Sequence, residues 1–369
     1  MTQISRMQFI YLMLWVILGT GITLLPFSIG QYTVRDGWIV PLFFFAGTAC
    51  TAGVSALFIR TFPNQSLMDG LETAFGPWIG RVLGAWFLVW FLITTAMLLR
   101  ELSVFVEITS LPQTPLYVIS AAIVPPITYV VFHGIETLGR LGEFITPIAV
   151  IIALALSVLS LQNVDVSQLT PVLANGWTPV LRASILPTTS FPFEFLVALQ
   201  LVKSMNGGKT LAKDLLWLGA FLSVAGLFIM GIVIAVLGPA LTYLSLPVGE
   251  VVRGIRIGQF VERLDTIYVM GVIATMVLKI STFLYAMCSA MKDVFRLPTI
   301  RNVALPAGVA VWTANVLFFH NSPDLHEFMA YTTPAYFGVT MVGLPLLAVA
   351  VFRITRVIHK PSNKQSTAQ

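Results

Sequence analysis

Two ionisable side chains stand in surroundings that do not solvate them. Glu194 follows Phe191-Pro192-Phe193 within an apolar run, and Lys279 sits inside Val277-Leu278-Lys279-Ile280-Ser281-Thr282. A carboxylate or ammonium group among aliphatic residues is costly, so it must pair, bind a solute or give up its charge. For Glu194 two uses remain open: contact with a ligand, or pairing with a basic neighbour to hold helices together. Lys279 lies about 13 residues into its run, too deep for easy reach to a membrane surface. It can supply a positive charge permanently or titrate, with Ser281 and Thr282 as neighbouring oxygen donors. A third group, Arg100-Glu101 with Glu107, falls toward the end of another run. It reads as a gate or as an ordinary surface ion pair. The four histidines, His133, His320, His326 and His359, show no metal-ligand spacing. No nucleophile–base set, Walker A pattern or zinc motif occurs, so we expect neither an enzyme nor a cofactor.

The backbone offers chemistry as well. Leu18 to Gly30 reads Leu-Gly-Thr-Gly-Ile-Thr-Leu-Leu-Pro-Phe-Ser-Ile-Gly, inside the first apolar run. Gly19, Gly21 and Pro26 weaken a helix there. One reading is a helix unwound near its middle, with loose amides and carbonyls facing a site. The other is a tight crossing, where glycines admit a neighbouring helix. The run around Ile185-Leu186-Pro187-Thr188-Thr189-Ser190-Phe191-Pro192-Phe193-Glu194 carries two prolines five residues apart. Free amides at a half-helix N-terminus favour an anion, and free carbonyls favour an ammonium or a metal ion. A zwitterionic amino acid would suit both; a neutral sugar fits less obviously.

These residues need a scaffold, and composition names it. Of 369 residues, 57% are hydrophobic and 10% charged, where a soluble domain carries about 25% charged. The chain is an integral membrane protein, with no room for a sizeable soluble domain. Cys50 and Cys288 fall in apolar runs as small buried thiols. About ten runs approach the 20 apolar residues a span needs: 9–32, 38–59, 79–105, 116–132, 143–161, 184–202, 211–237, 266–291, 303–319 and 332–353. We expect an all-α polytopic protein with one transporter-like domain over 1–361, in halves of about 1–161 and 184–353. A short polar cytoplasmic tail follows at 362–369. The stretch 238–265 reads as a helix-containing cap.

The interrupted runs are the first and the sixth, each the first helix of a five-helix half. Matching broken segments in two halves point to a midplane site at an inverted-repeat interface. Lysine and arginine fall mostly on one face, which places both termini in the cytoplasm. In inverted-repeat transporters of this layout a cation often bridges the first and eighth helices, a place Lys279 can take.

Motifs along almost the whole chain resemble one family. They are Leu18-Gly19-Thr20-Gly21-Ile22-Thr23-Leu24-Leu25-Pro26, Asp36-Gly37-Trp38, Arg100-Glu101 with Thr114-Pro115, Thr170-Pro171-Val172-Leu173, Ser190-Phe191-Pro192-Phe193-Glu194, Gly258-Gln259-Phe260-Val261-Glu262-Arg263-Leu264-Asp265 and Lys279-Ile280-Ser281. The chain resembles the B subunit of spore germinant receptors, the spore permease family of endospore formers. The resemblance implies the ten-helix amino acid–polyamine–organocation transporter fold and a place in the spore inner membrane. It implies a complex with A and C subunits that senses a nutrient, an amino acid or a sugar. Carried over by position, Gly19, Thr20 and Gly21 would bind ligand through backbone, faced by Ser190, Phe191 and Phe193. The sequence departs from the family pattern where Glu194 follows Phe193 with no glycine between them. One residue turns a helix by about 100°, which leaves open whether the acid faces the site. An alternative is a proton- or sodium-coupled amino acid permease. Nucleic acid is not among the expected partners; the lipid bilayer is.

Overall fold

In hydrocarbon every backbone amide and carbonyl must be answered from within, so apolar runs of this length coil. The computed structural model describes residues 3–205, 208–256, 264–319, 325 and 327–358. Its long elements are all helices: α1 (Arg6–Gly30), α2 (Leu42–Thr61), α3 (Leu67–Thr109), α4 (Leu116–His133), α5 (Ile135–Ser160), α6 (Trp177–Glu194), α7 (Val197–Leu201), α8 (Leu211–Leu237), α9 (Pro247–Arg253), α10 (Leu264–Phe295) and α11 (Arg301–Phe318). The last span alternates π-helix over Phe328–Thr332, α12 (Thr333–Phe337), π-helix over Gly338–Gly343 and α13 (Leu344–Ile358). Among the described residues, nine helical segments are long and apolar enough to cross a membrane. The expected tenth, α11, has 18 residues but spends them partly on Arg301, Asn302 and Asn315.

Helix α1 is central. It packs against α5, α6 and α10, and residues such as Leu12, Met13, Trp15, Val16 and Ile17 bury different sides of it. A helix apolar all round belongs in an interior. Helix α5 is peripheral by the same logic: Phe144, Ile151, Leu154 and Val158 point outward, each more than 60% exposed, a face suited to lipid. Ser5 with Gln8, and Ser66 with Asp69, close capping boxes at the starts of α1 and α3. Gly76, at φ 80°, bends α3 immediately before Pro77, a conformation that glycine alone adopts without strain.

Three expectations change here. First, α1 is not unwound: it runs unbroken from Arg6 to Gly30. Pro26 costs it only the donor for the Ile22 carbonyl. Gly19 serves the tight crossing instead, since a Cβ there would stand 3.0 Å from Lys279 Cβ and Cδ. Second, the sixth span does break, but beyond both prolines, at Phe195-Leu196 between α6 and α7. The prolines deny donors to the carbonyls of Ala183 and Thr188 without stopping the coil. Third, Cys50 is exposed, while Cys288 is buried as expected. The stretch 238–256 carries a 3₁₀ turn at Gly238–Tyr243 and α9. The residues from Gly258 to Arg263, His320, His326, His359 and the tail 362–369 lie outside the described residues.

Helix α2 meets α6 and α8 through glycines. A Cβ on Gly47 would fall 2.0 Å from the Thr188 oxygen, and one on Gly219 2.3 Å from Thr48 Cγ2. Gly53, also in α2, has open space around it. Gly47→Ala should therefore destabilise the protein by about 1–3 kcal/mol or more through overpacking. Gly53→Ala should be neutral or stabilising through helix propensity. Thermal unfolding in detergent compares them, and equal shifts would count against this packing.

Candidate functional site

At the middle of the bundle three helices share one ammonium group. Lys279, from α10, is fully buried. Its Nζ donates to Glu194 Oε2 on α6 at 2.7 Å and to Thr20 Oγ1 on α1 at 2.7 Å. The rings of Phe191 and Phe283 stand 5.8 and 6.0 Å from the same nitrogen, at the edge of the range in which a cation is drawn to an aromatic face. Glu194 is 4% exposed, so the pair is shielded from solvent. The lysine stem passes over Gly19, whose missing side chain makes the crossing possible.

Beside this pair lies a cavity of about 20 Å³, enough for one water-sized group. Thr20 and Leu24 of α1 line it, with Met97, Leu98 and Glu101 of α3, Leu186, Ser190, Phe191 and Glu194 of α6, and Met329 and Thr333 of the last span. Glu101 Oε1 accepts from Thr23 Oγ1 at 3.2 Å. Glu101 Oε2 and the Ser190 hydroxyl are buried without a hydrogen-bond partner among the described residues. Buried polar groups are nearly always paired, so such exceptions need an explanation.

Of the residues singled out by sequence, Thr20, Ser190, Phe191 and Glu194 meet at this cavity. Glu194 turns toward it despite following Phe193 directly. Gly21 does not reach it: it lines a separate apolar crevice of about 60 Å³ with Ile17, Leu25, Pro187 and Met230. Phe193 also points away, toward Gly338 in the last span. Gly19 presents no free backbone, because α1 stays helical. Thr282 donates to its own helix at Leu278, and Ser281 is buried near Lys279 in sequence but does not line the cavity.

Glu101 is the residue that sequence reasoning misplaced. A surface ion pair with Arg100 does not hold, since Arg100 is 4% and Glu101 9% exposed. The signal was present. Met97 and Leu98 stand four and three residues before Glu101 on one helical face, and the run leading to it is as apolar as the one around Lys279. Met329 and Thr333, also four apart, share a face in the same way. The flanking π-helical stretches could not be read from composition; such stretches often accompany functional sites.

The Lys279–Glu194 geometry makes an energetic prediction. Removing one partner of a buried pair leaves an unanswered charge, at about 3–5 kcal/mol. Lys279→Met alone should cost that much, and Lys279→Met with Glu194→Gln should cost clearly less than the sum of the two single changes. Thermal unfolding of the four proteins checks this, and additive effects would mean that the two groups are not coupled.

Comparison with known proteins places this site in context. Residues 3–322 match the spore permease family, described as "Spore germination protein". Spore germination protein KB of Bacillus subtilis (strain 168) is 25% identical over 340 residues, 88% of each chain. Spore germination protein A2 of the same organism is 24% identical over 98% of each chain. Among solved structures, MHP1, a nucleobase-cation-symport-1 family transporter in a closed conformation with bromovinylhydantoin bound, aligns at TM-score 0.68 and 12% identity. The alignment covers 97% of this chain and 94% of MHP1. MhsT in complex with L-phenylalanine aligns at TM-score 0.59 and 15% identity, covering 96% and 89%. The likeness to both is one of fold, that of helical multi-span transporters. The chain is thus an integral, multi-pass membrane protein of a transporter-like, non-enzymatic kind, and it belongs to the spore permease family of spore germination proteins.

Proposed function

We propose that this protein is the membrane subunit of a spore germinant receptor and that it binds a small nutrient, an amino acid or a sugar, in the cavity between α1, α3, α6 and the last span. The observation that carries this reading is the pair of buried, unpartnered polar atoms, Glu101 Oε2 and Ser190 Oγ, on residues that line one small cavity. Other buried polar atoms also lack partners, among them Ser281 Oγ and both side-chain polar atoms of Asn315, but these two belong to the lining of one cavity. The family and its B. subtilis germination proteins support the biological setting. On this reading the protein lies in the spore inner membrane beside A and C subunits.

Binding would act on the walls. A space of about 20 Å³ is too small for a whole nutrient, so occupation must favour an arrangement in which the walls stand apart. The 3₁₀-type turns at Phe195-Leu196, next in the chain to Glu194, and the π-helical stretch carrying Met329 are where the backbone near the cavity departs from α-helical hydrogen bonding. The two halves, about 1–161 and 184–353, are read as a five-plus-five inverted repeat that meets at this site. The excess of lysine and arginine expected on one face of the spans supports a reading in which both termini are cytoplasmic.

A second reading is a proton- or sodium-coupled amino acid permease, favoured by the fold shared with MHP1 and by the buried charges beside the cavity. Purified protein separates the two. A receptor gains thermal stability with a nutrient but drives no uptake into proteoliposomes, whereas a permease does both. Ser190→Leu, which fills the cavity, should remove nutrient-induced stabilisation while the protein still folds. An unchanged nutrient response in Ser190→Leu would move the ligand elsewhere.

A further inference from the structure

Acidic groups around the cavity outnumber basic ones among the described residues. Two carboxylates, Glu101 and Glu194, face one ammonium, Lys279, and that ammonium is committed to Glu194 and Thr20. Glu101 accepts from the Thr23 hydroxyl at Oε1, while its Oε2 is buried without a hydrogen-bond partner, as is the hydroxyl of Ser190 on the same cavity lining. Among the described residues, no lysine, arginine or histidine lines this space. Arg100, next in the chain, is not part of the lining and interacts electrostatically with Glu107. The helix expected to present loose amides to a ligand carboxylate is wound through, so α1 offers no anion site.

What is missing is a compact cation with several donors. We propose that the cavity recognises the protonated amine of its ligand, held by Glu101 Oε2 and Ser190 Oγ, and that a ligand carboxylate is not required. This rests on the reading of the cavity as the nutrient site, and it narrows the ligand class to alkylammonium compounds, amino acids included. Size agrees, since an –NH₃⁺ head is close to a water molecule and the recess holds about one. Charge agrees too, because an ammonium supplies three donors and no acceptor. The remaining lining, Leu24, Met97, Leu98, Leu186 and Met329, suits a short aliphatic chain. A sugar or a carboxylic acid brings no positive charge and would leave Glu101 unanswered.

The test uses the full-length protein in detergent and three probes of nearly the same skeleton. L-2-Aminobutyrate carries both groups, n-propylamine lacks the carboxylate, and butyrate lacks the amine; glucose serves as an uncharged nutrient. We expect L-2-aminobutyrate and n-propylamine to raise the melting temperature in a saturable way, and butyrate and glucose to leave it unchanged. Glu101→Gln, nearly isosteric, should weaken n-propylamine binding about tenfold or more, the worth of one charge-assisted hydrogen bond. Glu107→Gln, outside the cavity, should not weaken it. The comparison of n-propylamine with butyrate in the unaltered protein holds whether or not the variant folds. Stabilisation by butyrate or glucose but not by n-propylamine, lost in Ser190→Leu, would overturn the amine assignment and leave the nutrient site standing. No stabilisation by any probe would overturn both.

Discussion

The Lys279 ammonium lies in the protein interior, and the helices around it are arranged so that its charge is answered. Glu194 supplies the counter-charge and Thr20 a second acceptor, each at 2.7 Å. A buried ammonium without them would cost about 3–5 kcal/mol, a large share of the stability of a typical domain. The pair therefore fixes how α1, α6 and α10 approach one another. Gly19 follows from this, because any side chain at that position would meet the lysine stem. So does the position of Glu194 in the last turn before the Phe195-Leu196 break: the chain must bring a carboxylate to this point before α6 ends.

Packing elsewhere is consistent with a rigid frame around that centre. Gly47 lets α2 lie against the Thr188 carbonyl of α6, an oxygen that Pro192 has deprived of its helical donor. Gly219 seats Thr48 against α8. At the end of the bundle near the start of the chain, Gln200, Ser66 and Asp293 join the segment after the α6 break to α3 and α10 by hydrogen bonds of 2.9 Å. Arg6 pairs with Asp214 at the same end. The break in the sixth span is thus held on both sides, by Lys279 above it and by Gln200 below, with only Phe195 and Leu196 between helices.

Much of this was legible in the chain. Glu194 and Lys279 announced themselves by being charged in apolar company, and burial in one site followed from cost alone. The runs gave the helices because hydrocarbon leaves the backbone no alternative. What failed was local. Glycine and proline in Leu18–Gly30 admit either an unwound segment or a close crossing, and the choice depends on the neighbour, Lys279, which is 260 residues from Gly19 in sequence. Proline likewise removes a donor without saying whether the coil stops, and at Pro187 and Pro192 it does not. Glu101 stands near the end of its apolar run, which suggests a surface, whereas α3 continues beyond that run to Thr109 and leaves Glu101 buried within the helix.

A tethered cation differs from a dissolved one in a way that bears on mechanism. An ion bound between helices can leave, and its departure changes the balance between arrangements. Lys279 cannot leave, so the resting arrangement, in which it meets Glu194 and Thr20, keeps its positive charge in place without any solute. A ligand that merely bound all arrangements equally would shift nothing. To move this protein it must make contacts that the resting arrangement denies it. On the proposed reading, the unpartnered oxygens of Glu101 and Ser190 would be such contacts, on the lining of a recess that admits one small polar head but not the body attached to it. Satisfying them and accommodating the rest of the molecule at once requires the α6 break or the π-helical wall to give. That coupling of a fixed charge to an unsatisfied one suits a detector that waits in one state.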